Sequence, residues 1–212
     1  MSNAAINENP NFAWFKANVD RDEKGYKGET SKAYNRRLQE DWFKKFAPED
    51  KIGIDIGAQC DPLNHTFRRF DYVFGDGDAT DMLGIPENTF HTVYASHVLE
   101  HLKFPQKAIR KWFQILKPGG HLIIIVPHRD LYEKKKMLPS NWNPEHTYFW
   151  LPEEEEPPCT KSLKNEVLTA IPDANIVQFR VCDFGYDHSL GADEHPVGEF
   201  SIECIVKKDY IF

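Results

Sequence analysis

Closely spaced cysteines, long apolar runs and an excess of positive charge are all missing from this chain. Its four cysteines, Cys60, Cys159, Cys182 and Cys204, are nowhere closer than 22 residues. That excludes a CxxC zinc ribbon and leaves reduced thiols as the expectation. The longest apolar run, Leu122 to Val126, is the size of a strand, whereas a membrane helix needs about 18 such residues. The first residues also lack the apolar stretch of a secretory leader, so a soluble, cytoplasmic protein is expected. Lysine and arginine number 26 against 33 aspartate and glutamate, a formal charge of −7. This balance argues against nucleic acid as a partner, because phosphate backbones require a basic face.

What the chain does have is an alternation of strand and helix signals. With Ser31 as cap, Tyr34, Leu38, Trp42, Phe43 and Phe46 predict a helix that packs on the core through this stripe and ends at Pro48. Lys51 to Gly57 reads as a buried strand running into a loop, with further strands at Phe70 to Phe74 and His91 to Ala95. A helix starts at Pro105, shows Ile109, Trp112, Phe113 and Leu116 on one face, and stops at Pro118-Gly119-Gly120. His121 to Pro127 is apolar on both faces, as a central parallel strand covered by helices must be. Residues 128 to 158 show no clean period and carry a solvated glutamate run. Thr160 is expected to cap a helix with Leu163, Val167, Leu168 and Ile171 inward, before strands near Ile176 to Cys182 and Phe200 to Val206. The order predicts one α/β domain over residues 31–212, with a mostly parallel central sheet, a terminal antiparallel hairpin and an N-terminal helical extension. Residues 1–30 read as a polar arm and 128–158 as a substrate-side insertion.

In such a sheet a ligand sits beyond the carboxyl ends of the strands. The segments placed there are Asp55 to Pro62, Gly75 to Asp81, Ser96 to His101 and Pro127 to Tyr132, all polar. Four motifs recur in order: Ile54-Asp-Ile-Gly57, Gly77-Asp-Ala-Thr-Asp-Met82, Val93-Tyr-Ala-Ser-His-Val-Leu-Glu-His-Leu102, and Leu116-Lys-Pro-Gly-Gly-His-Leu-Ile-Ile-Ile-Val-Pro127. Over residues 50 to 127 the chain resembles the class I S-adenosylmethionine-dependent methyltransferases, in particular the small ones that methylate metabolites and sugars. The resemblance implies a Rossmann-like fold, S-adenosyl-L-methionine as cofactor, and methyl transfer to an oxygen or nitrogen of a small polar acceptor. Its alternative is a cofactor-binding, non-catalytic member of the fold acting as a partner in a complex, because Gln59 and Asp61 stand where the family carries two further glycines. No GxGxxG follows the first strand, which argues against a dehydrogenase.

The resemblance assigns Asp55, Gly57, Ala58 and Gln59 to the cofactor loop, an acidic residue ending the second strand to the ribose hydroxyls, and an aspartate further on to the adenine amino group. Asp76 and Asp78 are the candidates for these last two, with Ala79 and Ser96 beside them. An oxygen acceptor requires a general base, for which the order of expectation is His128, then His97 and His146. His97-Val-Leu-Glu-His101 has the HxxEH spacing of some zinc peptidases, but it follows a strand and lacks a third ligand, so no metal is expected there. Asp187, His188, Asp193, Glu194 and His195 form a second cluster with ligand chemistry, in the terminal hairpin loop. Aromatic rings at Tyr132, Trp142, Tyr148 and Trp150 offer flat faces to a sugar, and Arg129 and Lys134 to Lys136 offer charge to a phosphate on it. The expected acceptor is therefore a saccharide, free or nucleotide- or carrier-linked, as in polysaccharide biosynthesis.

Overall fold

Burial on both faces decides which strands form the centre of the molecule. The computed structural model describes residues 28–59, 61–63 and 66–210, so most of the expected polar arm lies outside the described residues. Among these residues three short helices, α1 (Glu29–Lys32), α2 (Tyr34–Gln39) and α3 (Trp42–Phe46), precede strands β1 (Gly53–Ile56), β2 (Arg68–Phe70) and β3 (Phe90–Ser96). Helix α4 (Pro105–Ile115) leads into β4 (Leu116–Pro127), followed by α5 (Arg129–Tyr132), β5 (Phe149–Leu151), β6 (Thr160–Ser162), α6 (Leu163–Ala170), β7 (Asn175–Cys182) and β8 (Ser201–Lys207). Six strands form one sheet in the order β2-β1-β3-β4-β8-β7. The first four are parallel, and β8 runs antiparallel to both β4 and β7. All of β1 is buried, as is Leu122 to Pro127 of β4, which lies between β3 and β8. One core cluster joins Ile54, Val93, Ile124 and Val206 to Trp112 of α4 and Leu163 and Val167 of α6. The resulting α/β architecture, with a mostly parallel sheet and a closing antiparallel hairpin, is the one the alternation predicts.

Three local expectations are corrected. The N-terminal helix is broken, and Tyr34 and Leu38 of its apolar stripe are about half exposed, at 49% and 52%. Asp41, in the left-handed region at φ 54°, turns the chain between α2 and α3 and changes the phase, so that Trp42 is buried while Arg36 and Arg37 of α2 face inward. Glu199, just before β8, and Glu203 on it make this possible: Arg36 donates to both carboxylate oxygens of Glu199 at 2.8 and 2.7 Å, and Arg37 lies 4.0 Å from Glu203 and over the Trp42 ring. The second strand ends at Phe70, and Tyr72 to Phe74 form a 3-10 turn capped by the Asp71 carboxylate. The third correction lies in residues 149–162, where β5 and β6 form a separate parallel pair; Ser162, not Thr160, caps α6 by accepting from Asn165 N at 3.1 Å.

Candidate active site

The loops that leave β1, β2 and β3 at their carboxyl ends meet one another. Gly57 takes φ +72°, and a Cβ there would come within 2.3 Å of Val98 Cγ2, so the turn after β1 fits against the turn after β3 only without a side chain. Gly57 N donates to Phe70 O at 2.8 Å, tying the same turn to the end of β2. Gln59 N donates to Asp71 Oδ2 at 3.1 Å, and Gln59 itself takes a positive φ of 42°, the backbone conformation a glycine would supply. Asp61, the other position where a glycine is expected, is an anchor: its carboxylate accepts from Ser31 N at 2.9 Å and from the Ser31 hydroxyl, and lies against Gly28. This contact seats α1 over the first loop. The described residues between β1 and β2 form no helix, so the turn at Gly57 to Gln59 offers loop amides rather than a helix N-terminus.

The acidic residues of this edge fall into distinct environments. Asp55 is buried at the end of β1 and accepts from Leu63 N at 2.8 Å; its pKa is pushed up to about 8, chiefly by loss of hydration and further by Asp61 and Asp71, against the pull of Arg37. Asp71 is the carboxylate that directly follows β2, and sequence reading missed it because the strand was drawn through it. Asp76 turns inward, 3.3 Å from Arg69 Nε and accepting from Asp71 N at 3.0 Å. Asp78 is exposed, its carboxylate caps Thr80 N at 2.7 Å, and the neighbouring Ala79 carbonyl accepts from Trp112 Nε1 at 2.9 Å. Gly77 lies against the Phe70 ring, so this segment rests on the end of β2. Ser96 hydrogen-bonds Tyr94, whose hydroxyl also meets Thr30 of α1 at 3.0 Å.

Two of the three candidate bases share one cluster. His97, at φ +55° directly after β3, has Nε2 3.0 Å from Ser201 Oγ and Nδ1 3.5 Å from Glu100 Oε1. Burial pushes His97 down to about 3 and Glu100 up to about 8. His146 Nδ1 is 3.0 Å from Glu133 Oε1, both buried, and the His146 ring stands edge-on to His101 with centroids 4.9 Å apart. Glu133 had no sequence signal, since it meets His146 across an aperiodic loop. His128 lies outside this cluster: its Nδ1 accepts from Asp130 N at 3.1 Å to cap α5, and its backbone bridges to Trp150 and donates to Phe200 O.

The expected acceptor-side groups are largely spoken for. Trp150 is in the core, Tyr132 stacks on Phe200 with centroids 4.8 Å apart, and Tyr148 lies under Lys161. Arg129 pairs with Asp130 and Glu156, Lys136 with Glu156, and Lys134 and Lys135 donate to backbone carbonyls. In the hairpin loop, Asp187 accepts from Ser189, Glu194 from Gly191 N, and the His195 ring packs edge-on to Trp142.

This open-edged parallel sheet with a glycine turn after β1 and carboxylates after β2 is the arrangement of nucleotide-type cofactor sites. A family model described as a methyltransferase domain matches residues 27–156, and the chain belongs to that family. S-adenosylmethionine is the cofactor that membership implies. A demethylmenaquinone methyltransferase of Chlamydia trachomatis serovar L2 is 34% identical over 61 residues, 29% of this chain and 25% of that protein. A ubiquinone/menaquinone biosynthesis C-methyltransferase of Cronobacter sakazakii is 33% identical over 63 residues, 30% of this chain and 24% of that one. The matches therefore span about a quarter of those relatives' length. In fold, the chain is similar to a solved complex between the Haloferax volcanii Trm112 methyltransferase activator and a methyltransferase, with a TM-score of 0.52 at 12% identity over 94% of this chain and 96% of that one. A methyltransferase structure from Bacillus halodurans C-125 gives a TM-score of 0.53 at 11% identity, over 82% of this chain and all of that one. No helix among the described residues is long and apolar enough to cross a membrane.

Proposed function

We propose that the protein transfers the methyl group of S-adenosylmethionine to an oxygen or nitrogen of a small hydroxylated acceptor, a saccharide in the first instance. The observation that carries the reading is the junction of the first three loops, with Gly57 against Val98 and Gln59 N on Asp71. These residues fit the cofactor: a turn that a Cβ would block, an adjacent strand-end carboxylate and an exposed aspartate beside it. Backbone of Gly57, Ala58 and Gln59 would receive its amino-acid end, Asp71 in place of Asp76 the ribose hydroxyls, and Asp78 with Ala79 the adenine. Asp55 and Ser96 act behind them, holding Leu63 and Tyr94. When bound, the cofactor supplies a methyl group on a sulfonium leaving group, and the chain contributes alignment and proton handling.

A neutral imidazole accepts at one nitrogen and donates at the other. Nδ1 of His128 accepts from Asp130 N, so Nε2 carries the proton and serves as a donor to the acceptor. His97, held neutral by burial, is assigned to orient the acceptor: its Nε2 accepts a hydrogen bond from the acceptor hydroxyl directly or through the Ser201 hydroxyl 3.0 Å away, and the acceptor proton leaves to water. Because Arg129 and Lys134 to Lys136 have internal partners, a free saccharide is preferred to its phosphate-linked form.

The test is transfer of labelled methyl from the cofactor to a panel of saccharides, sugar phosphates and hydroxyquinones. The expected label is on a saccharide, and His97→Gln lowers kcat by about tenfold or more through lost alignment, with S-adenosylhomocysteine affinity unchanged. Label on a quinone ring carbon would instead favour the chemistry named for the two bacterial relatives. Cofactor binding with no transfer to any acceptor would favour the non-catalytic alternative.

A further inference from the structure

Glu100 and His101 lie in the 3-10 turn after β3, and His146 lies in the loop before β5, yet one ligand atom from each falls within 4.8 Å of the others. Zinc with nitrogen and oxygen ligands at about 2.0–2.1 Å in a tetrahedron holds them about 3.4 Å apart, so small side-chain adjustments close the gap. Glu100 is 1% exposed, and its Oε2 has no hydrogen-bond partner among the described residues. A buried carboxylate oxygen left without a donor is costly and points to a missing cation or donor. The two histidines are also prepared as ligands. Glu133 Oε1 engages Nδ1 of His146 at 3.0 Å, and the Glu145 backbone hydrogen-bonds His101, leaving each ring its other nitrogen. Such outer partners fix tautomer and orientation in metal sites. The scaffold is firm as well, since Thr147 N and Oγ1 both donate to Glu100 O, at 2.7 and 2.9 Å, and pin the His146 segment to the Glu100 turn.

We infer that Glu100, His101 and His146 bind one divalent transition-metal ion, zinc by preference, with Glu133 positioning His146. Two imidazoles and one carboxylate form a set that zinc accepts with a fourth position left to water or an acceptor oxygen. The site is not that of an HxxEH peptidase, because His97 faces Ser201 and the third protein ligand comes from 45 residues beyond His101. The inference goes beyond the methyl-transfer reading and does not depend on it.

The experiment is titration of the chelator-stripped full chain with zinc in competition with a chromophoric chelator, alongside cobalt(II) loading followed in the visible spectrum. One equivalent of zinc per chain and ligand-field bands of low-symmetry cobalt are expected. Glu100→Gln, which keeps the side-chain shape, and His146→Ala each weaken zinc binding by about a hundredfold or more, and Glu133→Gln by about 10–100-fold. His188→Ala, in the hairpin loop, leaves binding as in the parent. Circular dichroism confirms folding, and if His146→Ala unfolds, Glu100→Gln alone decides. Absence of stoichiometric binding, parental affinity in Glu100→Gln, or loss of the metal on His188→Ala would each overturn the assignment.

Discussion

Asp55 carries an ionisable carboxyl group that has been taken almost fully out of water. Its folded pKa of about 8 lies far above the ordinary 3.8, so between these values the folded chain holds a proton that the unfolded chain has released. The group's contribution is fully present below the unfolded pKa, and stability falls as pH rises through the window up to about 8. Asp55→Asn removes the titration while keeping an acceptor for Leu63 N, so urea denaturation at a series of pH values is expected to give a shallower slope in the variant. Equal slopes would remove Asp55 as the cause. Gly57 makes a sharper prediction, because a methyl group there meets both a positive φ and Val98. Gly57→Ala is expected to cost about 1–3 kcal/mol in denaturation experiments. Val98→Ala in the same chain restores the space but not the strained backbone, so recovery is expected to be partial. The two carboxylates after β2 separate by the same logic. Asp71→Asn is expected to weaken S-adenosylhomocysteine binding about tenfold or more through a lost charge-assisted pair, whereas Asp76→Asn acts on stability through Arg69. Calorimetry showing the reverse would return the ribose assignment to Asp76.

Among the elements, α4, β4 and β8 were legible in the sequence because their burial is one-sided or complete and so leaves a period or a run, although Leu116 and the Pro118-Gly119-Gly120 expected to stop the helix belong to β4, which begins five residues before His121. Trp112 and Ile109 line α4, and Leu122 to Val126 fill β4. The N-terminal helices were legible as helices but not in phase, because a hydrophobic stripe was expected where paired arginines do the packing. No propensity rule anticipates an inward arginine whose partner, Glu199, lies 163 residues away. That pair is testable: Arg36→Ala leaves Glu199 buried without its counter-ion and is expected to cost about 3–5 kcal/mol. Replacing both with leucine is expected to recover most of that loss, and equal losses in the single and double variants would deny the pair this role. Strands β5 and β6 were hidden for a simpler reason, since three-residue strands in a proline- and glutamate-rich stretch show no alternation.

At the scale of the molecule, the loops leaving β1, β2 and β3 gather at the carboxyl edge of a mostly parallel sheet. Only residues 57 to 67 separate β1 from β2, and those described among them form no helix of their own. The alternation therefore gave the architecture and the glycine turn, while Asp71, Glu133 and the meeting of His101 with His146 emerge only when loops distant in sequence are folded together. At the two positions where the resemblance leads to an expectation of glycine, Gln59 takes a left-handed backbone and Asp61 anchors α1. The claim that this edge holds S-adenosylmethionine is tested most directly by isothermal titration of the full chain with S-adenosylhomocysteine. The account predicts one site per chain, a higher melting temperature with ligand as mass action requires, and loss of the binding heat in Gly57→Ala under conditions where that variant stays folded. No binding heat at millimolar ligand, or binding that Gly57→Ala leaves unchanged, would contradict it.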